Sequence, residues 1–157
     1  MTMNPLLSVQ DVGWHIAGVR ILQRVSFDVA HGEFVALMGR NGAGKSTLLD
    51  LAAGLRPPSE GVVALEGRPL GEWSPGDLAR SISHLPQMMR AEVAFSAEEL
   101  VLMGRYPHSG RWMESAGDRQ TAQRAMTRCG CFQFRHRRLS TLSGGERQRV
   151  LLAACLA

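Results

Sequence analysis

The sequence predicts an α/β fold centred on a strand, a glycine-rich loop and a helix. Three observations predict it. Phe34-Val35-Ala36-Leu37-Met38 is a run of five apolar residues, the pattern of a buried strand. The next eight residues, Gly39-Arg40-Asn41-Gly42-Ala43-Gly44-Lys45-Ser46, fit G-x-x-x-x-G-K-[ST]. Strand patterns come before this unit, and from Ser96 onward the chain reads as helices.

In chain order, Leu6 to Ala17 and Ile21 to Ala30 read as two strands with Gly18 in the turn between them. Alternation is visible in Val25, Phe27 and Val29. His31-Gly32 then turns the chain into Phe34–Met38. Leu48 to Ala53 reads as a helix, with Gly54 where a C-cap belongs. Arg56 to Gly61 is a loop, and Val62 to Leu65 is a short strand closed by Glu66-Gly67. Pro75 to Arg80 reads as a short helix, and Ile82 to Leu85 as a strand ending at Pro86-Gln87. Ser96 and Glu99 have capping-box spacing ahead of Leu100 to Met103. Tyr106-Pro107-His108-Ser109-Gly110 breaks that helix. A second helix runs from about Gly117 to Cys129, and the last from Glu146 to Ala157. Ser143 and Glu146 repeat the capping-box spacing at its start. There is no internal repeat and no low-complexity segment.

The residue types of the glycine loop follow from phosphate chemistry. Backbone N–H groups can wrap a phosphate chain only where side chains do not obstruct them. Gly39, Gly42 and Gly44 allow that approach and accept positive φ. The helix beginning near Gly44 aims its unpaired N–H groups and its dipole at the anion. Lys45 can reach the β- and γ-phosphates, and the Ser46 hydroxyl can ligate Mg²⁺.

Composition bounds the remaining possibilities. The 157 residues suit one domain with a sizeable core. Hydrophobic residues make up 45% and charged residues 20%, as in a soluble globular protein. The net charge of +4 could suit nucleic acid or an anionic membrane surface, but it is spread along the chain except at Arg135-His136-Arg137-Arg138, which reads as a solvated basic turn. The only lysine is Lys45. Cys129, Cys131 and Cys155 give neither a zinc pattern nor an even disulfide set and read as reduced thiols. No signal peptide and no apolar run of membrane-spanning length is apparent.

A second motif narrows the reading. Leu142-Ser143-Gly144-Gly145-Glu146 opens the last helix and leaves its N–H groups uncovered. With both motifs present, the sequence resembles the ATP-binding subunits of ABC transporters from about Leu6 to Ala157. Gly39 to Thr47 matches the family's Walker A loop, and Leu142 to Glu146 its signature motif. Gln87 matches the Q-loop glutamine. Met103-Gly104-Arg105-Tyr106-Pro107-His108 is similar to the importer branch that handles iron–siderophore, haem or cobalamin.

The resemblance implies a P-loop NTPase: a RecA-like core, an antiparallel β subdomain and a helical signature subdomain. It divides one domain into residues 1–87 (β subdomain and P-loop core), 88–142 (mainly helical) and 143–157 (signature helix). ATP and Mg²⁺ are the implied cofactors. Gly39, Arg40, Asn41, Gly42, Ala43, Gly44, Lys45, Ser46 and Thr47 would hold ATP, as would Ser143, Gly144 and Gly145. Ser46 and Gln87 would contact the metal, and Lys45 and Gln87 would serve hydrolysis. The implied partners are transmembrane permease subunits, a second copy packed head to tail and, indirectly, a substrate-binding protein, with no nucleic acid. Met88 and Met89 could pack on the permease. The implied location is the cytoplasmic face of the inner (plasma) membrane, held peripherally.

Two departures bear on these expectations. Where the family stacks an aromatic residue on adenine, the alignment gives Ile16, with Trp14 two residues away on the same strand face. The family also continues beyond the signature helix into an apolar strand ending in Asp-Glu, an aspartate-bearing loop and a switch histidine. The 157 residues contain no Asp-Glu pair. The sequence therefore reads as a cassette lacking its C-terminal strands and, with them, the Walker B aspartate, the catalytic glutamate and the switch histidine that hydrolysis needs in this family, and its Phe34–Met38 strand lacks its neighbours. The expected consequence is marginal stability or aggregation of the chain alone. The alternatives are a remnant that binds nucleotide or permease without turnover, and a soluble non-transport ABC ATPase.

Overall fold

The computed structural model describes residues 4–87, 95–109 and 114–157. The chain divides into two units, Met1–Leu78 and Ala79–Ala157.

The first unit is an antiparallel sheet carrying one helix. β1 (Leu7–Ile16) and β2 (Val19–Val29) form a hairpin in which Ile16 faces Val19. Its two-residue loop, Ala17 and Gly18, has φ of 49° and 78°, the doubly left-handed turn whose twist suits a hairpin. β3 (Glu60–Leu65) pairs with the other edge of β1, and β4 (Arg68–Pro69) closes the order β2-β1-β3-β4. Gly61 is forced by the β1–β3 contact. Its φ is +77°, and a Cβ there would lie 2.3 Å from the Gln10 carbonyl oxygen. α1 (Lys45–Ala52) packs Leu48 and Leu51 against Val9, Val12, Leu22 and Val63. It starts three residues before the expected Leu48. Gly54 ends it as expected: with φ +72° it lets Leu55 N–H donate to Asp50 (2.9 Å) and its own N–H donate to Leu51 (3.1 Å). α2 (Pro75–Ser81) follows and runs past Leu78, so it belongs wholly to neither unit.

The second unit is built on three helices: α3 (Ala97–Met103), α4 (Ala116–Arg128) and α5 (Gly144–Leu156). Each opens with a reciprocal capping box: Ser96 with Glu99, Ser115 with Asp118 and Ser143 with Glu146. Their inner faces bury Leu100, Val101, Ala122, Met126, Val150 and Leu151 in one core, closed by Cys131, Leu139 and Leu142. The end of α3 lies hard against α5. A Cβ on Gly104 would sit 2.1 Å from the Ala154 carbonyl oxygen. The next residue, Arg105, donates from Nε to Asp118 (3.1 Å) and from Nη1 to the Ala157 carbonyl (2.6 Å).

The α/β class holds, but two expected strands do not form. Phe34–Met38 carries no ladder, with Phe34 92% and Met38 87% exposed. Ile82–Leu85 is likewise outside any strand. The reason is physical: an apolar run becomes a strand only when a neighbour satisfies its N–H and C=O groups. The four-stranded sheet is built from β1 to β4 alone.

Candidate functional site

Gly39 to Thr47 forms a loop running into the first turn of α1. Gly39, Gly42 and Gly44 have φ of 155°, 81° and 84°. Gly44 is needed twice over, because a Cβ there would also stand 2.7 Å from Leu22 Cδ2. The first α1 hydrogen bond runs from Leu48 N–H to the Gly44 carbonyl at 2.8 Å. The N–H groups of Lys45, Ser46 and Thr47 therefore have no intrahelical acceptor. No side chain caps this end, and no acidic residue stands in its first turn. Lys45 Nζ donates to the carbonyls of Gly39 (2.7 Å) and Arg40 (2.8 Å). These bonds hold the ammonium across the loop and use two of its three donors. Arg40 to Ala43 form the turn between, with Ala43 N–H donating to Arg40 (3.2 Å). The arrangement offers a positive, donor-rich cradle to an anion.

The second predicted motif opens α5. Ser143 N–H donates to Glu146 Oε2 (2.7 Å), and Glu146 N–H donates back to Ser143 Oγ (3.3 Å). The Ser143 backbone N–H, then its hydroxyl, holds the Glu146 carboxyl below its ordinary value, with Arg137 at 3.8 Å adding to it. Ser143, Gly144 and Gly145 are exposed. A Cβ on either glycine would meet nothing within 4 Å. This fold's own packing does not require glycine there, so their bareness leaves room for a group from outside the chain.

The remaining predicted residues are placed as follows. Gln87 is exposed and belongs to the second unit. Met88 and Met89 lie outside the described residues. Trp14 is half-buried on β1 with the Arg56 guanidinium 5.6 Å from its ring centroid, and Ile16 is 57% exposed. Within Met103–His108, Gly104 and Arg105 fasten the helices together while Tyr106 is 76% exposed. Sequence reasoning missed the Arg105–Asp118 pair and the Ser115 cap. The S-x-x-D spacing of Ser115 and Asp118 was the available signal for the cap. Among the described residues, no cluster of three or more His, Cys, Asp or Glu side chains could hold a metal ion.

A family model described as ABC transporter matches residues 22–157. The hemin import ATP-binding protein HmuV of Gloeobacter violaceus is 43% identical over 152 residues, covering 97% of this chain and 55% of its own length. The cobalamin import ATP-binding protein BtuD of Halobacterium salinarum is 41% identical over 151 residues, covering 96% and 38%. Among solved structures, a metal-chelate type ABC transporter in an inward-facing conformation matches with TM-score 0.78 and 30% identity, covering 98% of this chain and 56% of that one. A dimeric ATP-binding cassette bound to ADP and Pi matches with TM-score 0.83 and 25% identity, covering 96% and 68%. The chain spans about half or less of the length of the curated relatives it matches.

Proposed function

This chain belongs to the ABC transporter family, and on that premise we propose that it is the ATP-gripping part of an importer's ATPase subunit. The carrying observation is Lys45, held by two loop carbonyls beside helix N–H groups that no side chain caps. In this reading Gly39–Thr47 wraps the triphosphate and Lys45 neutralises its outer phosphates. Ser143, Gly144 and Gly145 of a second copy, packed head to tail, would meet the γ-phosphate, which accounts for glycines that the fold itself does not require. The domain would comprise residues 1–87, 88–142 and 143–157 in the roles given above.

Mg²⁺ is proposed as the companion ion, and the Ser46 hydroxyl is the kind of oxygen donor it takes. With no acidic cluster among the described residues, the ion would be held mainly by nucleotide phosphates, as Mg²⁺ commonly is. The resemblance adds Ser46 and Gln87 as the residues that would contact it. The chemistry such an ion would supply is neutralisation of charge on the phosphates during phosphoryl transfer. These 157 residues contain no Asp-Glu pair to orient an attacking water. Hydrolysis is accordingly proposed for the full-length cassette, while these residues supply the binding.

The cargo class, iron–siderophore, haem or cobalamin, is supported by the names of the hemin and cobalamin import relatives. The partners proposed are permease subunits, a second ATP-binding subunit and, indirectly, a substrate-binding protein. The chain would lie peripherally on the cytoplasmic membrane face; among the described residues no helix is long and apolar enough to cross a membrane. The test is affinity purification of the tagged chain. It is expected to bring down membrane permease subunits. Recovery with ribosomes or DNA instead would overturn the transport reading in favour of a soluble non-transport ATPase.

A further inference from the structure

Charge is unequally divided between the two units. The second holds twelve of the seventeen arginines but only six of the fourteen acidic residues. Those of its acids that are described are already engaged. Glu99, Asp118 and Glu146 close capping boxes, Asp118 and Glu146 also meet Arg105 and Arg137, Glu98 faces His136 at 3.8 Å and Glu114 faces Arg119 at 3.5 Å. Among the described residues no carboxylate lies within ion-pair distance of Arg124, Arg128 or Arg135.

Two of these, Arg124 and Arg128, lie on one surface, and the third meets the ring beside them. Gln120, Gln123, Arg124, Thr127 and Arg128 lie at helical spacing on the face of α4 opposite its buried Ala122, Ala125 and Met126. With Phe132 they line a groove of about 480 Å³ whose wall is mostly hydrocarbon, from the side-chain stems and the Phe132 ring. The Arg135 guanidinium covers the Phe132 ring at 4.4 Å from its centroid. Arg124 and Arg128 are four residues apart, a like-charge pairing that works against the helix. An anion bridging them would relieve it, and guanidinium forks suit phosphate oxygens.

The chemistry of the occupant can be narrowed. Single-stranded nucleic acid needs open aromatic faces for base stacking. Phe132 offers none, since Arg135 covers it and the ring also packs on the helical core. Cytoplasmic loops of a permease carry an excess of Lys and Arg and would be repelled. The cytoplasmic leaflet is anionic and attracts clustered arginines. We propose that this arginine-lined groove on α4 binds the phosphate headgroups of anionic phospholipids. The inference rests on the membrane-peripheral reading above and adds a direct lipid contact to it.

Flotation of the full chain with phosphatidylcholine vesicles, with and without phosphatidylglycerol, tests it. The chain is expected to float with the anionic vesicles alone and to be released by salt. Arg124→Gln and Arg128→Gln should each weaken binding about fivefold. The exposed Arg20→Gln on β2 should not. Arg135→Gln loses a ring contact, so the Arg124→Gln/Arg128→Gln double variant serves as the decisive one, with helicity checked by circular dichroism. Equal binding to neutral vesicles would overturn the proposal, as would undiminished binding by the double variant. Tighter binding to a single-stranded oligonucleotide at the same salt would do so too, by assigning the groove to nucleic acid. Recovery of permease subunits by affinity purification of the same double variant is expected to be unchanged, so a failure of the lipid contact is separable from a failure of the membrane-peripheral reading.

Discussion

The two units solve the same folding problem unequally. The helical unit surrounds a core of thirteen buried residues, against six for the cluster beneath the β sheet. All three of its main helices carry a full capping box, whereas α1 begins at a bare glycine. The first unit leaves Phe34 and Met38 almost wholly exposed beside its glycine loop. The contrast shows where order is encoded locally and where it depends on a neighbour. Helices satisfy their own backbone and need only one shared face. The segment leading into the glycine loop is apolar enough for a strand but has no ladder to join. The caps that stabilise a helix and the bare start proposed to receive a phosphate are opposite uses of the same unpaired N–H groups.

Substitutions can sharpen this contrast. The largest effect is expected from filling or emptying the helical unit. Gly104→Ala drives a methyl into the α5 backbone at Ala154, and Met126→Ala opens a cavity in the core. Each should lower stability by about 2–4 kcal/mol in denaturant titrations. A Gly104→Ala protein as stable as the parent would show that α3 and α5 do not approach closely. Ser115→Ala should cost about 1 kcal/mol through the α4 cap. At Phe34, by contrast, replacement by Ser should change stability by no more than about 0.5 kcal/mol. It should reduce aggregation, as light scattering would register; a loss comparable to that of Met126→Ala would mean the segment is packed after all.

Acid should also separate the units. Capping hydrogen bonds from Ser96, Ser115 and Ser143 lower the pKa of Glu99, Asp118 and Glu146. A carboxyl whose pKa is lower in the folded state adds stability above its unfolded pKa, near 4, and loses it as pH falls through the folded value. All three sit in the helical unit, so helical circular dichroism should fall along that acid limb. Ser143→Ala, which keeps the backbone N–H but loses the hydroxyl, should flatten part of the Glu146 share.

Much of this was legible in the residues. The β1–β2 hairpin, the glycine loop, Gly54 as terminator and the capping boxes at Ser96 and Ser143 all rest on signals spanning a few residues. Phe34–Met38 and Ile82–Leu85 misled because strand formation is not a local property. Gly104 and Arg105 stood out only as part of a resemblance. Their physical role, a close helix approach and a guanidinium joining α3 to α4 and the end of α5, depends on partners 13 to 52 residues away. The basic face of α4 was invisible as a site, because a run of arginines does not reveal which of them already have acids.

The central claim is that Gly39–Thr47 holds a triphosphate in this chain. Calorimetric titration of ATP with Mg²⁺ into the wild type and Lys45→Ala tests it most directly. Saturable binding weakened at least about tenfold by Lys45→Ala is the expected result, from the loss of charged hydrogen bonds to phosphate. Equal ATP affinity of the two proteins, both folded by circular dichroism, would contradict the account.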